Sequence, residues 1–282
     1  ILIGRNQNTL SEINLNYVKK NDILVVRRIS GGGTVYNDWG NMNFSFITYR
    51  NSSQANIRDG FKKFALPVIN TLQSLGINAV FTGRNDITID GKKFSGNAQY
   101  FQKDKLLHHG TILYDCDMSK LSLALKSKDI KFIDKSVKSV GSRVTNILPH
   151  MKEKMSLLEF KEYLKSYIIN TNNIKTIYEF NEKDICEINK IAKNKYETWE
   201  WNYGKSPNYK YETAVKYPSG VIEYHLNVEN GNIKDISIYG DFFGKKDIKE
   251  LESKLIGIKH SIMELEIALN EINMDEYILG LS

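Results

Sequence analysis

The sequence predicts an α+β protein of two modules, a larger one on a mixed or antiparallel sheet over residues 1–173 and a small α+β unit over residues 174–282. One observation is a set of short extended runs joined by glycine-bearing polar segments and a hairpin signal, all placed at the ends of one sheet. Another is the polar junction Thr171-Asn172-Asn173, after which the pattern becomes three strands with flanking helices. The third is charge. Residues 1–175 hold 19 Lys and 7 Arg against 10 Asp and 4 Glu, a net of +12. Residues 176–282 hold 13 Lys and no Arg against 14 Glu and 5 Asp, a net of −6, and the two sum to the chain's +6. Modules with such different balances have different jobs, the basic one facing anions.

Taken in order, Ile1 to Ile3 reads as a strand running into the polar loop Gly4-Arg5-Asn6-Gln7-Asn8. Because the chain starts inside that strand without a Met, an N-terminal segment completing the sheet is expected to be missing. Ser11 to Lys20 reads as one helix capped by Ser11. Ile23 to Val26 reads as a strand, and Met42 to Tyr49 alternates as another, with Phe44, Phe46 and Thr48 on one side. Gln54 to Leu75 is a helix that Pro67 can kink and Gly76 ends. Strands at Ala79–Phe81 and Ile87–Ile89 precede the Asp90-Gly91 turn. Lys92–Ala98 comes straight out of that turn as a glycine-bearing polar segment, with strands at Ala98–Gln102 and Leu106–Leu113. Helices follow at Met118–Lys126 and Ser156–Ile169. The second module opens with a helix at Asp184–Lys195 and the irregular aromatic segment Trp199–Pro207. Strands at 211–217, 220–228 and 233–239 and helices at 246–255 and 261–269 complete it.

Hydrophobic residues make up 41% and charged residues 26%, ordinary for a globular protein with a sizeable core. No apolar run is long enough to span a membrane and no signal peptide is visible, so a cytoplasmic location is expected. The two cysteines, Cys116 and Cys186, lack metal-like spacing and read as reduced, buried thiols. Nucleic acid is excluded as a partner for want of any matching motif. A zinc site is disfavoured because adjacent His108 and His109 point to opposite faces of a strand.

The chemistry concentrates in four segments: Arg27–Asp38, Gly83–Asp86, Lys92–Ala98 and His108–Thr111. Loops on a rigid sheet are where sites are built. Arg27-Arg28-Ile29-Ser30-Gly31-Gly32-Gly33 could hold a phosphate through backbone amides and guanidinium forks. It is neither a P-loop nor a dinucleotide fingerprint. From local pattern alone a plain glycine hairpin with solvated arginines stands beside that reading. Together the segments offer Arg28, Arg84 and Lys93 as cations, Asp86 as a metal ligand, and Asn85, Ser95, His109 and Thr111 as hydrogen-bond partners. That set suits attack of a carboxylate on a nucleotide's α-phosphate.

Arg27-Arg28-x-Ser30-Gly31-Gly32-Gly33-x-Val35-Tyr36-x-Asp38-x-Gly40-Asn41, Gly83-Arg84-Asn85-Asp86, Lys93-x-Ser95-Gly96-x-Ala98 and His108-His109-Gly110-Thr111 resemble the lipoate–protein ligase A family. The resemblance extends through the Gly4–Asn8 loop, Ser142–Asn146 and Trp199–Pro207, nearly the whole chain. It implies a catalytic domain of the class II aminoacyl-tRNA synthetase/biotin–lipoate ligase type and a small C-terminal accessory domain. It also implies Mg²⁺- and ATP-dependent conversion of lipoate to lipoyl-AMP, with transfer to a lysine of an acceptor. The acceptors implied are apo lipoyl domains of 2-oxoacid dehydrogenase E2 subunits and the glycine-cleavage H protein, small and often acidic. Carried over by position, Lys93 is the catalytic lysine, touching both the lipoate carboxylate and the nucleotide. Arg28, Gly33, Thr34, Val35, Tyr36, Asn85 and Asp86 join it on the ATP side, with Asp86 as the Mg²⁺ ligand. Arg27, Gly32, His109 and Gly110 join it on the lipoate side. Departures are Asn37, where the family often has His, and Gly141, where a basic residue is common.

The nearest rival of the same fold, an ATP-independent octanoyl or lipoyl transferase, works through an acyl-cysteine, and residues 1–115 contain no cysteine. A biotin ligase would carry a Gly-Arg-Gly-Arg-type loop, which is absent. A non-catalytic module that holds lipoyl-AMP or an acceptor is the alternative of a different class.

Overall fold

The computed structural model describes residues 1–49, 57–83, 85–125, 144–217, 220–240 and 244–278. The chain divides into two compact units, Ile1–Arg5 with Leu10–Ile191, and Asn6–Thr9 with Ala192–Ser282.

The first unit rests on a five-stranded antiparallel sheet of β3 (Asn41–Tyr49), β4 (Ala79–Thr82), β5 (Asp86–Ile89), β6 (Lys92–Gln102) and β7 (Lys105–Leu113), in the order β3-β7-β6-β5-β4. Alternation gives the sheet two chemically distinct faces. Phe44, Phe46, Asn97, His108 and Ile112 lie on one, covered by helices α3 (Ile57–Ser74) and α5 (Leu157–Thr171). Ala65, Val68 and Leu72 of α3 and Phe160 and Leu164 of α5 meet Ile87, Ile89 and Phe94 there. Each of the larger of these side chains contributes about 1.5–3 kcal/mol by leaving water. Ser45, Ala98, His109 and Thr111 lie on the opposite face.

Helix α3 runs through Pro67. Gly76 takes φ +76° just after its end, and Asp90 and Gly91, at φ +50° and +76°, form the tight β5–β6 turn. Helix α5 begins at a capping box in which Ser156 Oγ accepts from the Glu159 amide and Glu159 accepts from the Ser156 amide.

Several expected elements change. The 11–20 helix is two pieces, α1 (Thr9–Glu12) and α2 (Leu15–Lys20), because Asn14 rather than Ser11 caps the second by accepting from the Tyr17 amide. Buried Ile13 makes a bridge to Leu125 between them. The 23–26 strand shrinks to β2 (Val26–Arg27), which pairs in parallel with β1 (Leu2–Ile3). Lys92–Ala98, expected as a polar segment ahead of the strand at 98–102, is itself strand and makes β6 an 11-residue element. The helix expected over 118–126 is α4 (Met118–Ala124); Lys126 lies outside the described residues, as do Arg84, Gly141, Ser142, Arg143 and residues 54–56 of the expected 54–75 helix.

In the second unit, β8 (Tyr209–Tyr217), β9 (Gly220–Glu229) and β10 (Asn232–Gly240) form an antiparallel sheet in the order β10-β9-β8. Helices α7 (Ile248–Leu255) and α8 (Ile262–Asn270) accompany it; Leu251 and Leu255 join Ile222, Leu226, Ile236 and Ile238 in its core. The helix α6 (Glu182–Ile191) belongs to the first unit and is followed by a π-helical turn at Ala192–Tyr196. The aromatic segment expected to be irregular forms a second π-helical turn at Glu200–Gly204. Thr9 Oγ1 donates to the Asn202 carbonyl at 2.6 Å and the Thr9 amide to Ser206 Oγ at 3.2 Å. No helix among the described residues is long and apolar enough to cross a membrane.

One polar network sits inside the first unit's apolar layer. Fully buried His108 stacks on Phe64 at 5.0 Å, and its ring nitrogens meet Gln99 Nε2 at 3.1 Å and Asn97 Oδ1 at 3.3 Å. Burial, then the neighbouring His109, pushes its pKa down to about 4. The unfolded chain therefore takes up a proton near pH 6.5 that the folded protein refuses. The stabilisation is complete above pH 6.5 and is lost as pH falls toward 4, by up to about 3 kcal/mol. Urea unfolding at pH 7.0 and 4.5 checks this, and a His108→Gln variant is expected to lose that part of the pH dependence.

Candidate active site

Lys93 reaches its position through a fault in strand pairing. Asp86 pairs with Gly96 and Ile87 with Ser95, but Thr88 pairs with Lys93, so Phe94 is an extra residue on β6. Phe94 and Ser95 are consequently both buried, and strict alternation breaks between them. Bulges re-aim side chains next to functional sites. This one turns Lys93 to the side of Asp86, where Lys93 Nζ lies 2.7 Å from Asp86 Oδ1, both side chains somewhat over one third exposed. Gly96 leaves room for it: a Cβ there would stand 2.9 Å from Lys93 Nζ. The Lys93 carbonyl accepts from the Thr145 amide at 2.9 Å, fixing the backbone beneath the side chain.

Asp86 Oδ1 is out of solvent and is engaged by the Lys93 ammonium. Among the described residues no three His, Cys, Asp or Glu side chains come together as a metal cage. A single carboxylate, here paired with Lys93, fits only Mg²⁺ that arrives on phosphates, since Mg²⁺ commonly takes only one or two protein carboxylates.

Asn85 has a different task from Asp86. Its side-chain amide donates to the Asn97 carbonyl at 2.7 Å, while its own carbonyl accepts from the Asn97 amide at 2.9 Å and from Asn97 Nδ2 at 3.1 Å. This reciprocal clasp holds the β4–β5 connection against β6, and it engages the Asn85 side chain structurally.

His109 lies across from Ser45 and Ala98. Its Nε2 is 2.5 Å from Ser30 Oγ, and Ser30 Oγ also accepts from Arg28 Nε at 3.2 Å. Burial, then the charge of Arg28, lowers the His109 pKa, so the ring is neutral at pH 7. Gly110 alternates to the helix-covered face, where a Cβ would come within 2.5 Å of Asn97 Oδ1 and 2.7 Å of the Phe44 ring. Its missing side chain is a packing requirement of that face. His108 and His109 do point to opposite faces.

The glycine-rich segment crosses from β2 to β3. Arg27 is wholly buried and donates from Nη1 to the carbonyls of Gly4 and Arg5, both at 3.0 Å. Burial lowers its pKa from the ordinary value. Arg28 donates to Leu2, Gly31 and Gly33 carbonyls at 3.1, 2.8 and 2.7 Å. Gly32, at φ +97°, has Arg28 Nη2 3.0 Å from where a Cβ would be. The Val35 backbone exchanges hydrogen bonds with Leu2 at 2.8 and 3.0 Å, so its amide is engaged within the fold. Thr34 Oγ1 donates to Glu12 at 3.3 Å, and Tyr36 is buried. Cys116 is buried as expected, with its Sγ donating to Asn41 Oδ1 at 2.9 Å and burial pushing its thiol pKa far up. Cys186 is exposed, against expectation, because α6 buries none of its residues.

Two contributors escape a reading of sequence. Asn97 is an unspecified position between Gly96 and Ala98, yet it joins Asn85 to His108. Ser30 is visible in its motif, but its pairing with a strand 79 residues away is not.

Residues 1–169 match the family described as lipoyl protein ligase A/B catalytic domain, and residues 206–282 the one described as bacterial lipoate protein ligase C-terminus. The chain is 44% identical over 279 residues to lipoate-protein ligase LplJ of Bacillus subtilis, a match covering 98% of this chain and 83% of that protein. A solved bi-partite lipoate protein ligase, described with its E2 lipoyl domain from Thermoplasma acidophilum, is 34% identical with a TM-score of 0.65; 72% of this chain and 80% of that one are covered. A lipoate-protein ligase A bound with ATP is 30% identical with a TM-score of 0.61, covering 72% of this chain and 81% of that one. Matches of that identity over most of both sequences, on an α+β fold carrying Lys93 beside Asp86, leave one family: this chain is a ligase of the lipoate–protein ligase family.

Proposed function

We propose that the protein is an ATP-dependent lipoate ligase that works through an acyl-adenylate. A lipoate carboxylate oxygen attacks the α-phosphorus of ATP, the bond to the bridging oxygen breaks, and pyrophosphate leaves. The ε-amine of an acceptor lysine then attacks the acyl carbon of lipoyl-AMP, the acyl–oxygen bond breaks, AMP leaves and the nitrogen loses a proton. The observation that supports this most is Lys93, turned by the bulge to a partly exposed position beside Asp86 and over Gly96.

Two anions must approach each other in the first step. The Lys93 ammonium lies between them in this reading, offsetting the carboxylate's charge and then that developing on the phosphoryl oxygens. Asp86 would hold Mg²⁺, which supplies further charge neutralisation on the phosphates. The Gly31–Gly33 backbone receives phosphate oxygens, which moves Gly32 from the lipoate side to the nucleotide side of the site, with Thr34 and Tyr36 at that end of the nucleotide. Neutral His109 lines the acyl side and adds no charge to an apolar chain.

In this reading residues 1–173 carry catalysis and 174–282 the accessory role, a boundary that differs from the division into compact units after Ile191. The +12 balance of residues 1–175 suits acidic acceptors, namely apo lipoyl domains of E2 subunits and the H protein. The name of the Thermoplasma relative, with its E2 lipoyl domain, supports the first of these. Incubation with lipoate, Mg·ATP and an apo lipoyl domain tests the reading through pyrophosphate release and the acceptor's mass increase. Lipoylation that proceeds without ATP would overturn it.

Gly96→Ala probes the lysine's placement without removing it. The clash is with the end of a flexible side chain, so the fold is expected to remain and the ammonium to move. Adenylation should slow about tenfold or more with the thermal midpoint nearly unchanged, as read by lipoate-dependent pyrophosphate release and calorimetry.

A further inference from the structure

We propose that Arg28 is a positioning residue, which shapes the Gly31–Gly33 loop into an anion-receiving nest rather than binding phosphate with its own fork. This rests on the nucleotide reading above. A guanidinium has five N–H donors. Arg28 directs four hydrogen bonds into the protein, to Ser30 Oγ and to the Leu2, Gly31 and Gly33 carbonyls. That leaves too little of the fork for a bidentate grip on an outside anion.

The consequence lies on the other side of the peptide groups. Arg28 gathers the carbonyls of Gly31 and Gly33 inward, and Gly32 adopts φ +97° between them. Among the described residues, the amides of Gly31, Gly32 and Gly33 donate to no acceptor. An ideal Cβ on Gly31 or Gly33 would have no atom within 4 Å, so the loop's outer side is open. Carbonyls held in and amides left out is the arrangement that receives an anion. Through Ser30, the same guanidinium is linked to His109 on β7, so one side chain sets both the loop and a residue of the central sheet. The positive charge still lies close behind the loop and favours an anion there without touching it.

The test compares Arg28→Lys, Arg28→Met and Gly32→Ala in the full chain. Affinity for α,β-methylene-ATP is measured by calorimetry, and backbone order of Gly31, Gly32 and Gly33 by the heteronuclear NOE of nucleotide-free protein. A positioning role predicts that Lys and Met weaken binding alike, each by about tenfold or more, because neither keeps the fork. Loop-glycine NOEs should drop in both while those of β3 stay. Gly32→Ala should reproduce the loss with Arg28 intact, which keeps the test decisive where Arg28→Met does not fold. The proposal is overturned when Arg28→Lys binds as wild type, Arg28→Met loses tenfold and the NOEs do not change, the pattern of a direct charge contact. A wild-type protein that binds no nucleotide would instead remove the nucleotide reading, and the NOEs alone would then decide the clamp.

Discussion

Lys93→Ala is expected to lower the rate of lipoate-dependent pyrophosphate release by about 10²–10³-fold, the usual cost of removing a fixed charge or donor from a developing anion. The fold should be untouched. Lys93 is partly exposed, and its ion pair with Asp86 is of the solvent-accessible kind that contributes about 0–1 kcal/mol. Activity and stability should therefore separate cleanly. Arginine at 93 should not rescue, because its planar fork is longer than the ammonium seated over Gly96. Both half-reactions can be followed, pyrophosphate release for the first and acceptor mass for the second with supplied lipoyl-AMP. Wild-type adenylation by Lys93→Ala would sink the proposed mechanism.

Gly40→Ala is expected to have the largest effect on stability, about 3 kcal/mol or more. A methyl group there would sit 2.0 Å from the Asp115 carbonyl oxygen and 2.6 Å from the Cys116 nitrogen. These are backbone atoms, so no rotamer change relieves the contact. The same glycine's carbonyl accepts from the Tyr114 and Asp115 amides, and its amide donates to Asp38 Oδ1. Asp38 Oδ2 accepts from the Asp117 amide as well, so this turn ties the start of β3 to the start of α4. Thermal or urea unfolding measures the change; a loss under 1 kcal/mol would mean that the turn yields more easily than its geometry implies.

The order of strands and helices was legible in the sequence wherever alternation was clean, as in β3, or a turn was specified chemically, as at Asp90-Gly91. Lys93, Asp86 and His109 could be singled out because they stand in recognisable motifs. The bulge could not, since nothing in Lys-Lys-Phe-Ser-Gly says which residue leaves the pairing. Long-range hydrogen bonding was equally hidden: Arg28 reads as a free cation in sequence and becomes part of a loop's framework in three dimensions. The packing that Gly110 requires against Asn97 and Phe44 was hidden for the same reason.

The extra residue in β6 has a consequence for how this site can change. Lys93 and Gly96 are an odd number of positions apart, yet Lys93 Nζ lies over Gly96. Parity, not identity, decides the direction in which position 93 points. A point substitution can replace the lysine but cannot redirect it. With Phe94 paired instead of bulged, the lysine would fall opposite Ile89 and turn toward the apolar layer, whereas deleting residue 94 would leave it opposite Thr88 and take Phe94 out of the core. The bulge thus lets Phe94 and Ser95 both be buried while Lys93 stays on the side of Gly96.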